Sequence, residues 1–265
     1  MKPKLTGVAE TLLLPLYIRA RESQRPDAIL KDQAVEDLIK GLDYDFSRFK
    51  FDKEDEVGII LRVRQFDRYA RDFLTRHPNA RVVHLGCGLD SRFERVDNGL
   101  VEWYDLDLPA VIELRRQLLG GERPRYHLLS CSMLDQPWMD ELSAQPPRPT
   151  LFLAEGVFMY LKEIQIKLLV LSLCERFPEA ELVFDGFSRL IVWANNRLLK
   201  RTKIHAHYSF ALTNGKDLEG WGSGIRLLDE WRYFDCDEPR LARVRWASHI
   251  PVLAKSSGIF RYRLR

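Results

Sequence analysis

The sequence predicts an α/β fold, a doubly wound and mostly parallel sheet, from three observations. Beyond residue 80, short apolar runs of strand length alternate with stretches of helical periodicity. The first of these runs breaks at a glycine pair, in "VVHLGCGLDSRF" from Val82 to Phe93. Before residue 81 the periodicity is helical. Strands that alternate with helices become parallel, because each helix carries the chain back across the sheet before the next strand begins.

In chain order, "TGVAETLLLPLYIRARES", "KDQAVEDLIKGL" and "EDEVGIILRVRQFDRYARDFLTRHP" read as helices, stopped in the last two by Gly41 and Pro78. They make residues 1–80 a helical layer. "RVVHLG", "VEWYDLD", "RYHLLSC", "TLFLAEGV" and "ELVFDGF" read as five strands. Between them lie "PAVIELRRQLLGG", with Pro109 at a first helical position that needs no N–H, and "KEIQIKLLVLSLCERF". "SAQPPRPT" is a connection, not a domain boundary. "RLLDEWRYFD" and "SGIFRYRLR" are closing strands. The expected plan is one domain over 1–265: a helical layer (1–80), a ligand-binding core (81–188), an insertion over the active face (189–225) and closing strands (226–265). Ligands of such sheets bind beyond the carboxyl ends of the strands, where an insertion would cover them.

Composition sets limits. At 265 residues with 46% hydrophobic content the chain can bury a sizeable core. A net charge of +3, from 41 Lys and Arg against 38 Asp and Glu, permits an anionic substrate but does not argue for nucleic acid. Cys87, Cys131, Cys174 and Cys236 form no C-x-x-C pair, so neither zinc nor a disulfide framework is indicated, and reduced thiols in a cytoplasm are expected. "ETLLLPLYI" is too short to span a bilayer, contains Pro15 and lacks a cleavage pattern, so it reads as a buried helix with no membrane role.

The glycine turn carries the chemistry. In a doubly wound sheet the loop after the first strand lies against the ligand, and Gly86 and Gly88 allow close approach. Asp107, nineteen positions after Gly88 at the end of the next strand, has the spacing of a carboxylate that grips ribose hydroxyls, with Asp105 on the same strand face. A dinucleotide fingerprint wants glycine where Ser91 stands, and Asp90 would repel a pyrophosphate. These residues favour a ligand with a ribose and no phosphate, S-adenosyl-L-methionine, over a nicotinamide cofactor. A tight strand-to-helix turn without any ligand is the plain structural alternative.

Taken together, "ETLLLPLYIRARESQRPDAILKD", "HLGCGLDSRF", "WYDLDLPAVIELRR" and "LAEGVFMYL" resemble the leucine carboxyl methyltransferase superfamily, in its bacterial branch of polyketide-type O-methyltransferases. The resemblance runs from about Glu10 to the last strand. It implies a Rossmann-like class I methyltransferase in which Gly86 and Gly88 form the close-approach turn and Asp107 holds the ribose. It further implies that Arg62 pairs with the methionyl carboxylate, Glu155 lies below the amino end, and Ser132 and Met133 flank adenine. A guanidinium suits a carboxylate because it can bond bidentately. The plain alternatives are a solvated helix face for Arg62, a helix cap for Glu155, a buried aromatic for Tyr160 and core filling for Met133.

The expected function is transfer of a methyl group from S-adenosyl-L-methionine to a carboxyl or hydroxyl oxygen of a small acidic or phenolic acceptor. Tyr17, Arg19 and Arg21 on the N-terminal helix, with Tyr160, are the candidate acceptor contacts. His205 or His207 could serve as a base; their H-x-H spacing has no third ligand nearby, so no metal is expected, and His84 reads as a packed core residue. The rivals are a protein C-terminal carboxyl methyltransferase, a nucleic-acid binder using "PRLARVRWASHI" and "FRYRLR", and a cofactor-binding protein without catalysis. Alternating arginines in that tail also fit solvent-facing strand positions. The sequence does not set an oligomeric state.

Overall fold

A strand apolar on both faces needs cover on both, and in the computed structural model, which describes residues 8–46, 52–199, 207–212 and 214–265, helices supply it. The N-terminal layer consists of α1 (Val8–Ser23), α2 (Gln33–Gly41) and α3 (Lys53–Arg76). The core follows as β1 (Arg81–Leu85), α4 (Arg92–Val96), β2 (Glu102–Asp107), α5 (Pro109–Leu119), β3 (Tyr126–Ser130), α6 (Pro137–Ser143), β4 (Thr150–Ala154), α7 (Glu163–Arg176) and β5 (Ala180–Phe187). The chain continues through α8 (Arg189–Leu199), β6 (Ile225–Arg232), α9 (Pro251–Ala254) and β7 (Ser257–Leu264).

The strands stand in the order β3-β2-β1-β4-β5-β7-β6, with β1 to β5 parallel and β7 antiparallel to both of its neighbours. Chain order runs outward from β1 to β3 and then restarts at β4, so β1 and β4 flank the switch point where such sheets bind ligands. Strand alternation divides the core. Val83, Leu85, Phe152 and Ala154 pack with Trp138, Ile166, Leu169 and Leu173 of α6 and α7. Val82, Trp103, Leu151 and Leu153 face the other way, onto Phe66, Ala70 and Phe73 of α3 and onto Phe93 and Ile112. Each large apolar side chain buried this way stabilises the fold by about 1.5–3 kcal/mol relative to exposure.

The helical layer closes over the glycine turn: Leu13, Leu16 and Ala20 of α1 pack with Val35 and with Leu89 of that turn. Two expectations need correction. "RLLDEWRYFD" is strand only to Arg232, where a 3-10 turn over Tyr233–Asp235 begins. "PRLARVRWASHI" is not a strand, because Pro239–His249 forms successive 3-10 turns opened by Pro239, with the Glu238 side chain accepting from Arg240 N. Its charge is partly compensated, since Arg240 pairs with Glu22 and Glu238 and Arg245 pairs with Asp237. All four cysteines are free, and no described helix is long and apolar enough to cross a membrane.

Candidate active site

Four side chains or turns come to the carboxyl edge of the sheet in strand order: Asp107 from β2, the Gly86–Gly88 turn from β1, Glu155 beyond β4 and Asp185 near the end of β5. With strands about 4.8 Å apart, Asp107 and Glu155 stand roughly 10 Å from each other across the switch point. The turn is built on left-handed backbone, φ +68° at Gly86 and +52° at Gly88, which side chains with a Cβ adopt at a cost. A Cβ on Gly86 would meet Val157 Cγ2 at 2.5 Å, and one on Gly88 would lie 3.1 Å from Leu12 Cδ2. The room left at Gly86 is therefore filled by Val157 and by the Met133 methyl, so the glycines serve the protein's own packing as well as any ligand.

Asp107 is fixed by that turn. One carboxylate oxygen accepts from Gly88 N at 2.8 Å and the other from Leu108 N at 2.7 Å. Burial pushes its pKa up, and the two backbone donors oppose the rise. Each oxygen keeps a further lone pair for a hydroxyl donor. Asp105, on the same strand face, points into the core instead, where it binds Arg115, Tyr126 and Trp103 and lies 3.5 Å from His84.

Arg62 reaches the far end of this edge from α3. Its Nε donates to Glu155 at 3.0 Å and its Nη1 to Asp185 at 3.1 Å, while Nη2 has no hydrogen-bond partner among the described residues. Asp185 also accepts from Gly156 N at 2.6 Å. Burial opposes the charge on Arg62, but Asp185 and then Glu155 outweigh it and raise its pKa. Burial likewise raises Asp185 against the pull of Arg62. Glu155 is held on its other oxygen by Arg92 Nη2 at 2.5 Å, and Arg92 is held by Asp67 at 2.7 Å. Because Asp67 lies on α3 with Arg62, the pairs Arg62–Glu155–Arg92–Asp67 form a closed ring.

The structure revises the reading of Asp90. Arg19, Arg92 and Arg95 surround its carboxylate. Burial disfavours its ionisation, yet Arg92, Arg95 and Arg19 hold its carboxyl well below the usual carboxylate range. Its charge is neutralised inside the protein and is not turned against a bound phosphate; what stands against a dinucleotide is the missing third glycine, since Ser91 is buried and donates to Asp32.

Arg19 is likewise withdrawn from an acceptor-side role, because it is buried and spent on Asp90 and on Leu89 O. Tyr17 stacks on Phe46 at 4.7 Å, and Arg21 pairs with Glu56 at 2.7 Å on a half-exposed face. The Ser132 hydroxyl accepts from Leu134 N at 3.1 Å, and Met133 touches the glycine turn from the adjacent loop. His84 is buried, as a packed core residue should be. His207 is exposed, and His205 lies outside the described residues. Among the described residues no group of histidines, cysteines and acids could hold a metal ion.

Sequence reasoning missed Asp185, Tyr208 and Tyr233. Asp185 had a signal: "AEG" and "FDG" place an acid before glycine at two neighbouring strand ends. Tyr208 follows His207 in an extended segment beside Tyr160, and Tyr233 lies in the field of Arg62, Asp185 and Glu155. Neither tyrosine has a spacing that marks it.

The arrangement suits a zwitterionic amino acid linked to a nucleoside. Asp107 offers lone pairs to ribose hydroxyls, Arg62 Nη2 offers donors to a carboxylate, Glu155 and Asp185 set negative charge beside an ammonium group, and Met133, Val157 and Leu12 give apolar contact. Comparison with known proteins bears on the family and the cofactor. The sequence profile of the leucine carboxyl methyltransferase family matches residues 13–173. The tetracenomycin polyketide synthesis O-methyltransferase TcmP of Streptomyces glaucescens is 35% identical, covering 98% of this chain and 97% of its own. The S-adenosyl-L-methionine-dependent methyltransferase dpfgK of Gibberella zeae is 29% identical over 92% of this chain and 88% of its own. In fold, the chain is similar to magnesium protoporphyrin IX methyltransferase from Synechocystis, solved with S-adenosylhomocysteine, with a TM-score of 0.52 at 11% identity over 88% of this chain and 94% of that one.

Proposed function

The chain belongs to the leucine carboxyl methyltransferase family, and from that premise we propose that it methylates an oxygen of a small organic acceptor, acidic or phenolic and polyketide-like, with S-adenosyl-L-methionine as donor. The observation that carries the reading is the row of groups along one sheet edge, from Asp107 across the glycine turn to Arg62, Glu155 and Asp185. Bound there, the cofactor supplies an electrophilic methyl on a sulfonium. The protein's part is alignment. Asp107 holds the ribose, Met133 and Ser132 border the adenine, and Arg62 receives the carboxylate through Nη2 while its other nitrogens stay on Glu155 and Asp185.

With the cofactor held at those points, Tyr160, on the 3-10 turn Phe158–Tyr160 beyond β4, would be the acceptor-side wall. The acceptor oxygen would form the new C–O bond as the C–S bond breaks, with the bonding pair left on sulfur, and the chain's residues would only hold the two partners in line. A carboxylate acceptor releases no proton, whereas a phenol needs a base, for which His207 is the described candidate. A small-molecule partner in a cytoplasm, without nucleic acid, completes the reading. Incubating the protein with S-adenosyl-L-methionine and a panel of aromatic acids and phenols, with mass spectrometry for the gain of one methyl, tests it. No methylated product from any acceptor, with the cofactor bound, would leave a binding protein and no enzyme.

A further inference from the structure

Two stretches of the chain carry cations and no acid. Residues 186–216 hold six Lys and Arg and residues 239–256 hold four, with neither Asp nor Glu in either. The fold joins their described parts. Helix α8 leaves the carboxyl end of β5, α9 leads into β7 beside it, and Ser188 N donates to Ser256 O at 2.7 Å across the junction. There Arg189, Leu190, Pro251, Val252 and Lys255, with Ser188, line a hollow of about 380 Å³.

The apolar side chains around that hollow meet water. Leu190 is 44% exposed, Trp193, one turn along α8, is 57% exposed, and Val252 is 61% exposed. No described side chain of α8 is buried, so its Leu, Ile, Val and Trp add little to the core. The cations beside them are unclaimed. Among the described residues no carboxylate pairs with Arg189, Arg197 or Lys255, whereas Arg240, Arg243 and Arg245 pair with Glu22, Glu54 and Asp237. Arg197 lies over the Trp193 ring, 5.0 Å from its centroid.

A nucleic-acid backbone would answer the three cations and leave Leu190 and Val252 in water. An apolar protein surface would cover the aliphatic side chains and leave the cations without partners. A bilayer with anionic headgroups answers both, because aliphatic side chains enter the acyl boundary, Trp sits at headgroup level, and Lys and Arg meet the lipid phosphates. We propose that the α8–α9 face is a membrane-surface site, where Leu190, Trp193 and Val252 enter the boundary of an anionic bilayer while Arg189, Arg197 and Lys255 pair with lipid phosphates. The chain lies on such a bilayer without spanning it. The face adjoins the sheet edge that carries Asp185, and docking there is independent of methyl transfer.

The test is sedimentation of the full chain with vesicles of phosphatidylcholine, alone or with about one third phosphatidylglycerol. Wild type partitions at least about tenfold more strongly onto the anionic vesicles, and raising salt from about 0.05 to about 0.5 M removes most of that gain. Arg189→Gln with Lys255→Gln lowers partition onto them on the order of twentyfold, since each cation at such a surface contributes roughly a factor of five. Trp193→Ser lowers it at least about fivefold, because the ring no longer enters the boundary. The charge-matched pair Arg116→Gln with Arg226→Gln, exposed on α5 and β6, stays within about twofold of wild type. All these side chains are exposed, so thermal melting stays at the wild-type value. Equal partition onto the two kinds of vesicle, or the same loss in the charge-matched pair, would overturn the proposal. So would self-association in ultracentrifugation that Trp193→Ser abolishes while vesicles stay unbound, which would make the face a contact between copies of the chain. Duplex DNA that binds more tightly than the vesicles, and is released by Arg189→Gln with Lys255→Gln, would overturn it as well.

Discussion

Asp107→Ala removes the carboxylate that the glycine turn presents at the end of β2. Its oxygens accept from Gly88 N and Leu108 N at 2.8 and 2.7 Å, so the carboxylate is already oriented before any ribose arrives. Hydrogen bonds to a charged group contribute about 1.5–3 kcal/mol. At about 1.4 kcal/mol per decade, their loss weakens S-adenosyl-L-methionine roughly ten- to more than hundredfold. Leu108 is exposed, so its freed N–H meets water, whereas Gly88 is buried and its freed N–H costs folding about 1–3 kcal/mol. Asp107→Asn recovers part of the affinity, because its amide keeps one accepting oxygen but turns an NH2 toward the other backbone donor. Asp105→Ala is the contrast. It strands the buried Arg115 guanidinium, which costs about 3–5 kcal/mol and lowers the melting temperature on the order of 10 °C. Titration calorimetry with the cofactor and thermal melting without it read the two effects separately. If Asp107→Ala melts normally and binds S-adenosyl-L-methionine as tightly as wild type, Asp107 does not hold the ribose.

Arg62→Lys is expected to weaken the cofactor about tenfold and Arg62→Leu about a hundredfold, because an ammonium cannot serve Glu155, Asp185 and a ligand carboxylate in three directions at once; equal affinity of Arg62→Lys and wild type in calorimetry would make Arg62 structural. Burial raises the Asp107 pKa, so cofactor affinity declines as pH falls from a point above the ordinary aspartate value of about 3.9, and Asp107→Asn flattens that decline. A wild-type affinity flat down to pH 4 would contradict it. For Asp90 the sign is opposite. Its native pKa is depressed, so its contribution is fully present above the unfolded value of about 3.9 and is lost as pH falls toward the lower native value. Denaturant titrations should therefore show the stability gap between wild type and Asp90→Asn, roughly 3–5 kcal/mol near neutrality, narrowing below about pH 4.

The fold was legible because its signals are local and repeated. β1 to β5 are apolar runs bounded by glycine, proline or charge, and the alternation of Val82 with Val83 and of Leu151 with Phe152 requires cover on both faces. The tail was harder, since 239–249 carries arginines at alternate positions, a strand-like pattern, while Pro239 and the Glu238 side chain start helical turns. At the site, Asp107 followed from its distance to Gly88, and its hydrogen bond to Gly88 N accounts for that spacing. The partners of Arg62 could not be read so, since 93 residues separate it from Glu155 and 123 from Asp185. Tyr208 is brought beside Tyr160 by a segment whose bonds to Asn196, Met159 and Phe187 depend on tertiary placement alone.

The residues after the glycines in "GLDSRF" also look different once the charges are traced. Asp90, Ser91 and Arg92 turn inward: Asp90 gathers three arginines, Ser91 binds Asp32 of the helical layer, and Arg92 joins Glu155 to Asp67. In the closed ring of Arg62, Glu155, Arg92 and Asp67, both ends lie on α3, so Arg62 cannot shift toward the cleft without disturbing Glu155. Breaking one buried pair strands its partner at a cost of about 3–5 kcal/mol, so the ring resists any displacement of the guanidinium. Nη1 is held separately by Asp185, which leaves only Nη2 without a hydrogen bond among the described residues. The most distinctive segment of the sequence thus acts at one remove: in the proposed reading it holds still the arginine that would meet the ligand, whose own contacts would come from Asp107 and from the uncommitted nitrogen of Arg62.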